Sequence, residues 1–284
     1  EALEFISSAK ILLNEHDPYL KRYVYSLVSN NKVSKAINKI KQNIEKKNSY
    51  FFDAYLLLIV DSLKKDDLKK AQKYLLTAFN FSKEDRLNQA ILESLEGYIF
   101  VFKEKKILNN KKNLGKLSII SEILQRCYLE DPKTDVYFSN LIGSTQGNFT
   151  RYVYFYLSYL IEQNRTEDAK KITDDLEFIN TTLLLSQGKS WIENNNFQKF
   201  EEIFSCKNHK HIVSEFLFII SNLYSSENDF EKSNFYLSLS NFLNPDFIFN
   251  QSLVVENQFL SGEYNKTKKT LKNFKKETNF YYWY

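Results

Sequence analysis

The residues with the strongest metal-ligating character lie in one short segment, CKNHKH at positions 206–211. Cys206, His209 and His211 offer a thiolate and two imidazoles, which are common zinc ligands. A structural zinc site takes four ligands, and the only other histidine of the chain is His16. The segment also falls between two predicted helices, where polar residues are expected. The sequence therefore predicts no metal and no cofactor.

The common catalytic and nucleotide-binding signatures do not occur in the chain. There is no GxSxG, GxxxxGK[ST], GxGxxG or HExxH pattern. The segment GSTQGN (143–148) contains two glycines but lacks the lysine of a phosphate-binding loop, so it is interpreted as a turn. We predict that the protein is not an enzyme.

Two segments supply residue types that could bind nucleic acid. The basic loop 103–116 could contact phosphates, and the aromatic segment RYVYFYLSYL (151–160) could stack on bases. However, the 39 basic and 35 acidic residues leave a net charge of only +4. The favoured interpretation is a solvated loop and a packed helix, which argues against a nucleic-acid partner.

The composition is typical of a folded protein made of helices. Of the 284 residues, 43% are hydrophobic and 26% charged, while only six Gly and three Pro provide turn residues. No apolar run approaches the roughly 20 residues of a membrane span. Two cysteines are too few for a disulfide framework and fit a reducing compartment.

The bias toward Asn, Lys, Ile, Phe and Tyr is typical of an AT-rich genome, here expected to be bacterial. The sequence starts at Glu1 and contains no methionine, so we expect a fragment of a longer protein. A cytoplasmic location is expected, and a periplasmic one stays open if a signal peptide has been removed.

The segment NDFEKSNFYLSLSNFLNP (228–245) shows the pattern of a repeated unit. After the Asn-Asp turn, Phe230, Ser233 and Leu237 recur at offsets of three and four, which places them on one helical face. Pro245 predicts the helix end. Similar segments recur along the chain, and their aligned positions lie at intervals of 34, 35, 98, 31, 33 and 34 residues: Ala2, Ala36, Ala71, Ala169, Phe200, Ser233 and Thr267.

This periodicity resembles the tetratricopeptide repeat, a helix–turn–helix unit of 34 residues. In residues 214–247, Leu217 stands in the W slot of the family pattern, Ile220 and Ser221 in the L-G slots, and Tyr224 in the Y slot. Ser233, Leu237 and Pro245 follow in the A, F and P slots. The resemblance implies an all-α fold, a right-handed α-solenoid whose first helices line a concave groove for peptides or protein surfaces.

The two helices of each predicted hairpin approach most closely at two slots, which limits their combined volume. Gly188 opposes Phe200, so a large residue meets a small one, and Ser221 opposes Ser233, where both residues are small. The remaining pairs follow the same rule: Val24/Ala36, Ile59/Ala71, Leu157/Ala169 and Val255/Thr267.

The predicted organisation is a single solenoid over 1–284. Residues 1–16 form the second helix of a truncated repeat, 17–85 two repeats, 150–281 four repeats, and 282–284 the start of another. Residues 86–149 are atypical: a helix near 87–102, the basic loop, a second helix over 118–132 ended by Asp131-Pro132, and an extra helix from 134. Whether this region divides the array into two blocks is left open.

The resemblance implies that the protein is a non-catalytic scaffold that binds a protein or peptide in its groove. The alternatives are an RNA-binding helical-repeat protein and the regulatory or targeting arm of an enzyme. Projecting the repeat register onto the first helices gives these candidate partner contacts: Tyr25, Arg151, Tyr154, Lys189, Phe218, Asn222 and Phe259.

Overall fold

A computed structural model describes residues 17–44, 51–108, 115–143, 150–175 and 183–272. Within these ranges the chain forms fifteen α-helices and two short 3-10 segments, and no β-strand. The prediction of an all-α protein is confirmed, while the predictions for 1–16 and 282–284 lie outside the described residues.

Seven helices lie in the first half of the described chain. They are α1 (Asp17–Ser29), α2 (Val33–Asn43), α3 (Phe52–Lys64), α4 (Leu68–Ala78), α5 (Arg86–Glu104), α6 (Lys116–Tyr128) and α7 (Thr134–Ile142). Eight more follow: α8 (Thr150–Glu162), α9 (Thr166–Asp174), α10 (Leu183–Glu193), α11 (Gln198–Ile203), α12 (His209–Ser226), α13 (Phe230–Leu243), α14 (Gln251–Leu260) and α15 (Tyr264–Leu271). The 3-10 segments are Phe79–Phe81 and Ile248–Asn250.

Seven of the turns between helices share one hydrogen-bond pattern. At the turn after α12, Asn228 N donates to Ser225 O and Asp229 N donates to Tyr224 O, the two bonds of a Schellman motif. The residue at the Asn228 position has a positive φ, between 52 and 77°, at every copy: Asn31, Asp66, Glu130, Asn164, Asn195, Asn228 and Gly262. Asn, Asp and Gly tolerate this conformation best, which explains why polar residues recur there.

These turns reproduce the spacing found in the sequence. Six of the seven lie five residues before an aligned position, as Asn31 lies before Ala36 and Asn228 before Ser233. The copy at Glu130 lies in the region 86–149 predicted to be atypical, and it joins α6 to α7. The helix predicted over 118–132 ends earlier, at Tyr128, while the helix predicted from 134 begins at Thr134.

The predicted close approaches of paired helices are confirmed at two sites. The hydroxyls of Ser221 and Ser233 lie 2.9 Å apart, with both residues fully buried. A Cβ added at Gly188 would lie 3.3 Å from Cζ of Phe200. Small residues are therefore needed at these positions because the helices touch there.

The chain divides into two compact units. The first contains Glu1–Leu114 and Val213–Pro245, and the second contains Gly115–Ile212 and Asp246–Tyr284. Each unit is thus assembled from two separate stretches of sequence.

In the first unit, α13 packs against α1, α2 and α3. The ring of Phe235 stacks on Tyr25, with centroids 4.7 Å apart, and Lys64 Nζ donates to Leu243 O at 3.2 Å. Ser238 Oγ donates to Asn31 Oδ1 across a separation of 207 residues. Because α13 contacts several helices, its buried residues extend well beyond the one helical face that the sequence predicts to be buried.

In the second unit, α8 lies at the centre and contacts α7, α9, α10 and α11. Its aromatic residues join a buried cluster that includes Phe200, Phe204 and Phe247. Cys127 of α6 and Cys206 form a disulfide, with Cα atoms 5.5 Å apart. This disulfide does not fit the reducing compartment that the small number of cysteines predicts, because reducing compartments keep thiols reduced.

Within the described ranges, no helix has both the length and the apolar character that a bilayer crossing requires.

Candidate functional site

A pocket of about 400 Å³ lies in the first unit. Helix α1, the starts of α3 and α5, the 3-10 segment after α4, the end of α12 and the start of α13 all contribute to it. Its aromatic lining consists of Tyr25, Phe51, Phe52, Phe81, Tyr224 and Tyr236. Its polar lining consists of Lys21, Asp53, Asp85, Asn88 and Lys232.

Helical spacing explains how α1 and α13 supply matching pairs of side chains. Lys21 precedes Tyr25 by four residues in α1, and Lys232 precedes Tyr236 by four residues in α13. Residues four apart lie on the same helical face, so each helix presents an ammonium group and a phenol to the pocket.

Asp53 provides a buried carboxylate in the first turn of α3. Only 8% of its surface is exposed, and its carboxylate accepts a hydrogen bond from the hydroxyl of Tyr25. Burial raises the pKa of Asp53, while the charge of Lys21 and the Tyr25 hydrogen bond act in the opposite direction. The pKa of Tyr25 is also raised, first by burial and then by the charge of Asp53. The pair is therefore a desolvated carboxylate whose charge is partly compensated.

Tyr224 and Tyr236 form the aromatic wall contributed by α12 and α13. Their rings stack with centroids 5.4 Å apart at an interplanar angle of 17°. Lys232 Nζ lies 5.0 Å from the centroid of the Tyr224 ring and 3.5 Å from Asp229 Oδ2. Burial, and then the charge of Asp85, raises the pKa of Tyr224 to about 12. Burial also raises the pKa of Tyr236, and the hydroxyls of Tyr224 and Tyr236 are hydrogen-bonded to each other. Both phenols therefore stay neutral at physiological pH.

Asp85 lies at the start of α5 and accepts hydrogen bonds from the N–H groups of Leu87 and Asn88, at 2.9 and 3.0 Å. This N-cap fixes the carboxylate at the pocket edge. Phe81 stacks on Tyr55, with centroids 5.3 Å apart, which holds the 3-10 segment in place.

Three of the predicted partner contacts lie in the first unit. Tyr25 is half-buried and lines the pocket. Phe218 is half-buried on α12, and Asn222, one turn later, is exposed.

The other four predicted contacts lie in the second unit, and the structure gives them different environments. Tyr154 is fully buried, and its ring stacks on Phe200 at 5.1 Å. The groove-facing position predicted for Tyr154 is therefore corrected, because this face of α8 is covered by other aromatic rings. Lys189 Nζ donates to Thr173 O at 2.8 Å.

Arg151 is half-buried, and its Nη2 donates to Asn250 Oδ1 at 2.9 Å. Its guanidinium carbon also lies 4.9 Å from the centroid of the Phe247 ring. Phe259 remains 58% exposed and contacts the edge of Tyr264. Of these four residues, Phe259 is the one with a largely accessible side chain.

The side chains of Cys206 and His211 in the segment CKNHKH make structural contacts. Cys206 is in the disulfide, and Nδ1 of His211 accepts a hydrogen bond from Ser205 N at 3.0 Å. In the part of the chain that the structure describes, no group of three or more His, Cys, Asp and Glu side chains is placed to hold a metal ion. Most of GSTQGN and part of the basic loop lie outside the described residues.

Sequence reasoning missed Asp53, Asp85, Lys232 and Tyr236 as site residues. Asp53 carried a usable signal, because it is a lone carboxylate within the apolar run FFDAYLLLIV. A charged residue is rarely buried without a partner, so its position indicated a special environment. Lys232 and Tyr236 reach the pocket because α13 packs on α1, and Asp85 lies at its edge as the cap of α5; no local sequence pattern reveals either arrangement.

Comparison with known proteins gives no match to a protein-family model, to a curated protein or to a solved structure.

Proposed function

We propose that the chain is a non-catalytic helical-repeat protein that binds another polypeptide, and that the pocket of the first unit is a contact site. The observation that carries this proposal is the convergence of six aromatic rings with charged groups of both signs. Tyrosine and charged side chains in a concave site provide both contact area and orientation for a peptide segment.

The rings of the pocket are held in place by one another. Tyr25 stacks on the fully buried Phe235, and Tyr224 stacks on Tyr236, which is 2% exposed. Side chains that are fixed before a partner arrives lose little conformational entropy on binding. This arrangement supports a role in recognition more than one in filling the core.

We also propose that the hairpins are arranged as in tetratricopeptide repeats, in a right-handed array. The seven equivalent turns and the Ser221–Ser233 contact support this proposal. In such an array Phe218, Asn222 and Phe259 belong to first helices, and they remain candidate contacts beside the pocket.

The compartment that we propose follows from the disulfide. Disulfides form and persist mainly in oxidising environments, so Cys127–Cys206 favours the periplasmic alternative over the cytoplasmic one.

Selection from a library of random peptides displayed on phage tests the binding proposal. We expect peptides that bind the wild-type protein and lose at least about tenfold in affinity with Tyr224→Ala, since aromatic contacts at an interface centre have effects of this size. Leu223→Ala is the matched control, because Leu223 is the neighbouring residue, is 43% exposed and does not line the pocket.

Thermal unfolding of both variants shows whether each remains folded. The proposal is contradicted if no peptide is enriched, or if the selected peptides bind Tyr224→Ala and the wild type equally. Selective retention of single-stranded RNA in a parallel filter-binding assay would instead favour the nucleic-acid alternative.

A further inference from the structure

We propose that the pocket of the first unit receives a cationic side chain, lysine or arginine, of the bound polypeptide. This inference rests on the proposed function and specifies the chemistry of its partner.

The anion-binding positions of the pocket are already filled by its own carboxylates. The N–H groups at the start of α5 donate to Asp85, and the backbone N–H of Asp53 donates to its own carboxylate at the start of α3. Helix N-termini attract anions, and here that attraction is satisfied internally. An incoming anion would meet Asp53 and Asp85 and would be repelled.

The lining carries two carboxylates, Asp53 and Asp85, and two ammonium groups, Lys21 and Lys232, while two further carboxylates, Asp229 and Glu231, lie close enough to act on its phenols. Asp53, Asp85, Asp229 and Glu231 all contribute charge that raises the pKa of Tyr25 or Tyr224. A negative potential acting on the phenols in this way attracts a cation entering the same space.

The two lysines of the lining compensate part of this negative charge, since both act on Asp53. The ammonium group of Lys232 also lies 3.5 Å from Asp229, a residue that does not line the pocket, and over the ring of Tyr224. Lys21 has an exposed side chain on α1, and its charge opposes the pKa increase of Asp53. Lys21 is thus a tethered counter-ion that a cation from a partner can replace.

The aromatic lining suits a cation that has a long apolar stem. Lysine and arginine bury their methylene groups against apolar surface while the charged end meets a carboxylate or a ring face. Tyr25 and Tyr224 offer partly exposed rings, and Asp53 lies at the buried end. The carboxylate of Asp53 is desolvated, so a cation that enters the pocket beside Lys21 would stabilise its charge.

Calorimetric titration with four blocked amino acids tests the proposal on the whole chain. The probes are the Nα-acetyl-N-methylamides of lysine, arginine, norleucine and glutamate. Norleucine keeps most of the apolar stem of lysine without the charge. We expect lysine and arginine to bind at least about tenfold more tightly than norleucine at low salt, and glutamate to show no binding.

Three variants test which residues of the pocket contribute to lysine binding. Asp53→Asn should weaken lysine binding at least about tenfold, and Asp85→Asn should weaken it less because Asn still caps α5. Lys21→Ala should strengthen lysine binding several-fold, since it removes the resident competitor. A merely structural role for Lys21 would give the opposite change.

The proposal is overturned if norleucine binds as well as lysine, if glutamate is preferred, or if Lys21→Ala weakens lysine binding. These results are separable from failure of the proposed function. Selected peptides that need Tyr224 but lack Lys and Arg would overturn the cation preference alone, whereas failure to select any peptide would contradict polypeptide binding itself.

Discussion

Lys21 in the first unit and Tyr154 in the second occupy equivalent positions of their hairpins. Each lies fifteen residues before the aligned alanine of the second helix, Ala36 and Ala169 respectively. Lys21 is exposed at the edge of a pocket, whereas Tyr154 is fully buried. The same register thus yields a surface residue in one unit and a core residue in the other.

The difference comes from what covers the first helix in each unit. Phe200 and Phe247 pack on Tyr154, with ring centroids 5.1 and 6.4 Å away. In the first unit Phe235 covers one side of Tyr25 and leaves the other side on the pocket. Repeat register determines which side chains share a face, and the neighbouring segments determine whether that face is accessible.

The largest effect is expected from Tyr154→Ala, which removes a buried ring from the second unit. We expect a decrease of about 4 kcal/mol in the free energy of unfolding, because the cavity left by an aromatic residue is not refilled. Trp191 packs on Phe200 and reports on this unit, and Trp283→Phe leaves it as the only tryptophan. Denaturant titration followed by Trp191 fluorescence measures the change.

Tyr154→Phe is the matched control for this substitution, since it keeps the ring. If Tyr154→Ala weakened peptide binding without lowering stability, the assignment of Tyr154 to the core would be wrong.

Removing the disulfide should destabilise the second unit next most strongly. Cys127→Ala with Cys206→Ala opens a link between residues 79 apart, and the loss of a disulfide typically costs about 3 kcal/mol. The same fluorescence titration, with and without a reducing agent, checks it. The wild type should respond to reduction and the double variant should not. An unchanged wild-type midpoint after full reduction would show that the link contributes nothing to stability.

Gly188→Val should cost about 2 kcal/mol by overpacking the second unit. A Cβ at this position would lie 3.1 Å from Cδ2 of Tyr154 and 3.3 Å from Cζ of Phe200. Adding Phe200→Leu should recover part of the loss, because the two positions share one space. Strict additivity in this double-mutant cycle would contradict the contact.

The smallest effect is expected in the first unit, where Asp53→Asn should stabilise the protein at pH 7 by less than any of the losses above, because Asn has no charge to desolvate. The pKa of Asp53 is raised in the folded state, so protonation favours folding and its contribution is lost as the pH rises through the folded pKa. The advantage of Asn should therefore shrink as the pH falls toward the pKa of an unfolded Asp.

Thermal unfolding of wild type and Asp53→Asn between pH 4 and 7 measures this trend. Increased stability together with lost cation binding would mark Asp53 as a residue kept for recognition. A variant that is less stable at pH 7 would show that Asp53 serves the fold.

Local features of the fold could be predicted from the sequence. Turn residues and paired small residues act within one hairpin, so the Asn228 turn and the Gly188–Phe200 contact follow from spacing alone. The predicted end of α6 at 132 lies beyond the observed end at Tyr128, because a proline shows that a helix has ended without fixing the residue where it ends.

Most of the pocket could not be predicted, for the opposite reason. Tyr25 and Tyr236 lie more than 200 residues apart and line the same pocket because α13 packs on α1. A repeat period describes neighbouring hairpins and contains no information on such distant packing. Tyr25 is the one predicted partner contact that lines the pocket, because its face of α1 lies next to the contact between α1 and α13.

Hydrogen–deuterium exchange on a complex with a selected peptide shows directly whether the pocket of the first unit is the binding site. We expect slowed exchange in the first turn of α3, around Phe81 and at the start of α13, with α8 and α10 unchanged. Slowed exchange confined to α8 and α10 would contradict this proposal, since the binding surface would then lie in the second unit.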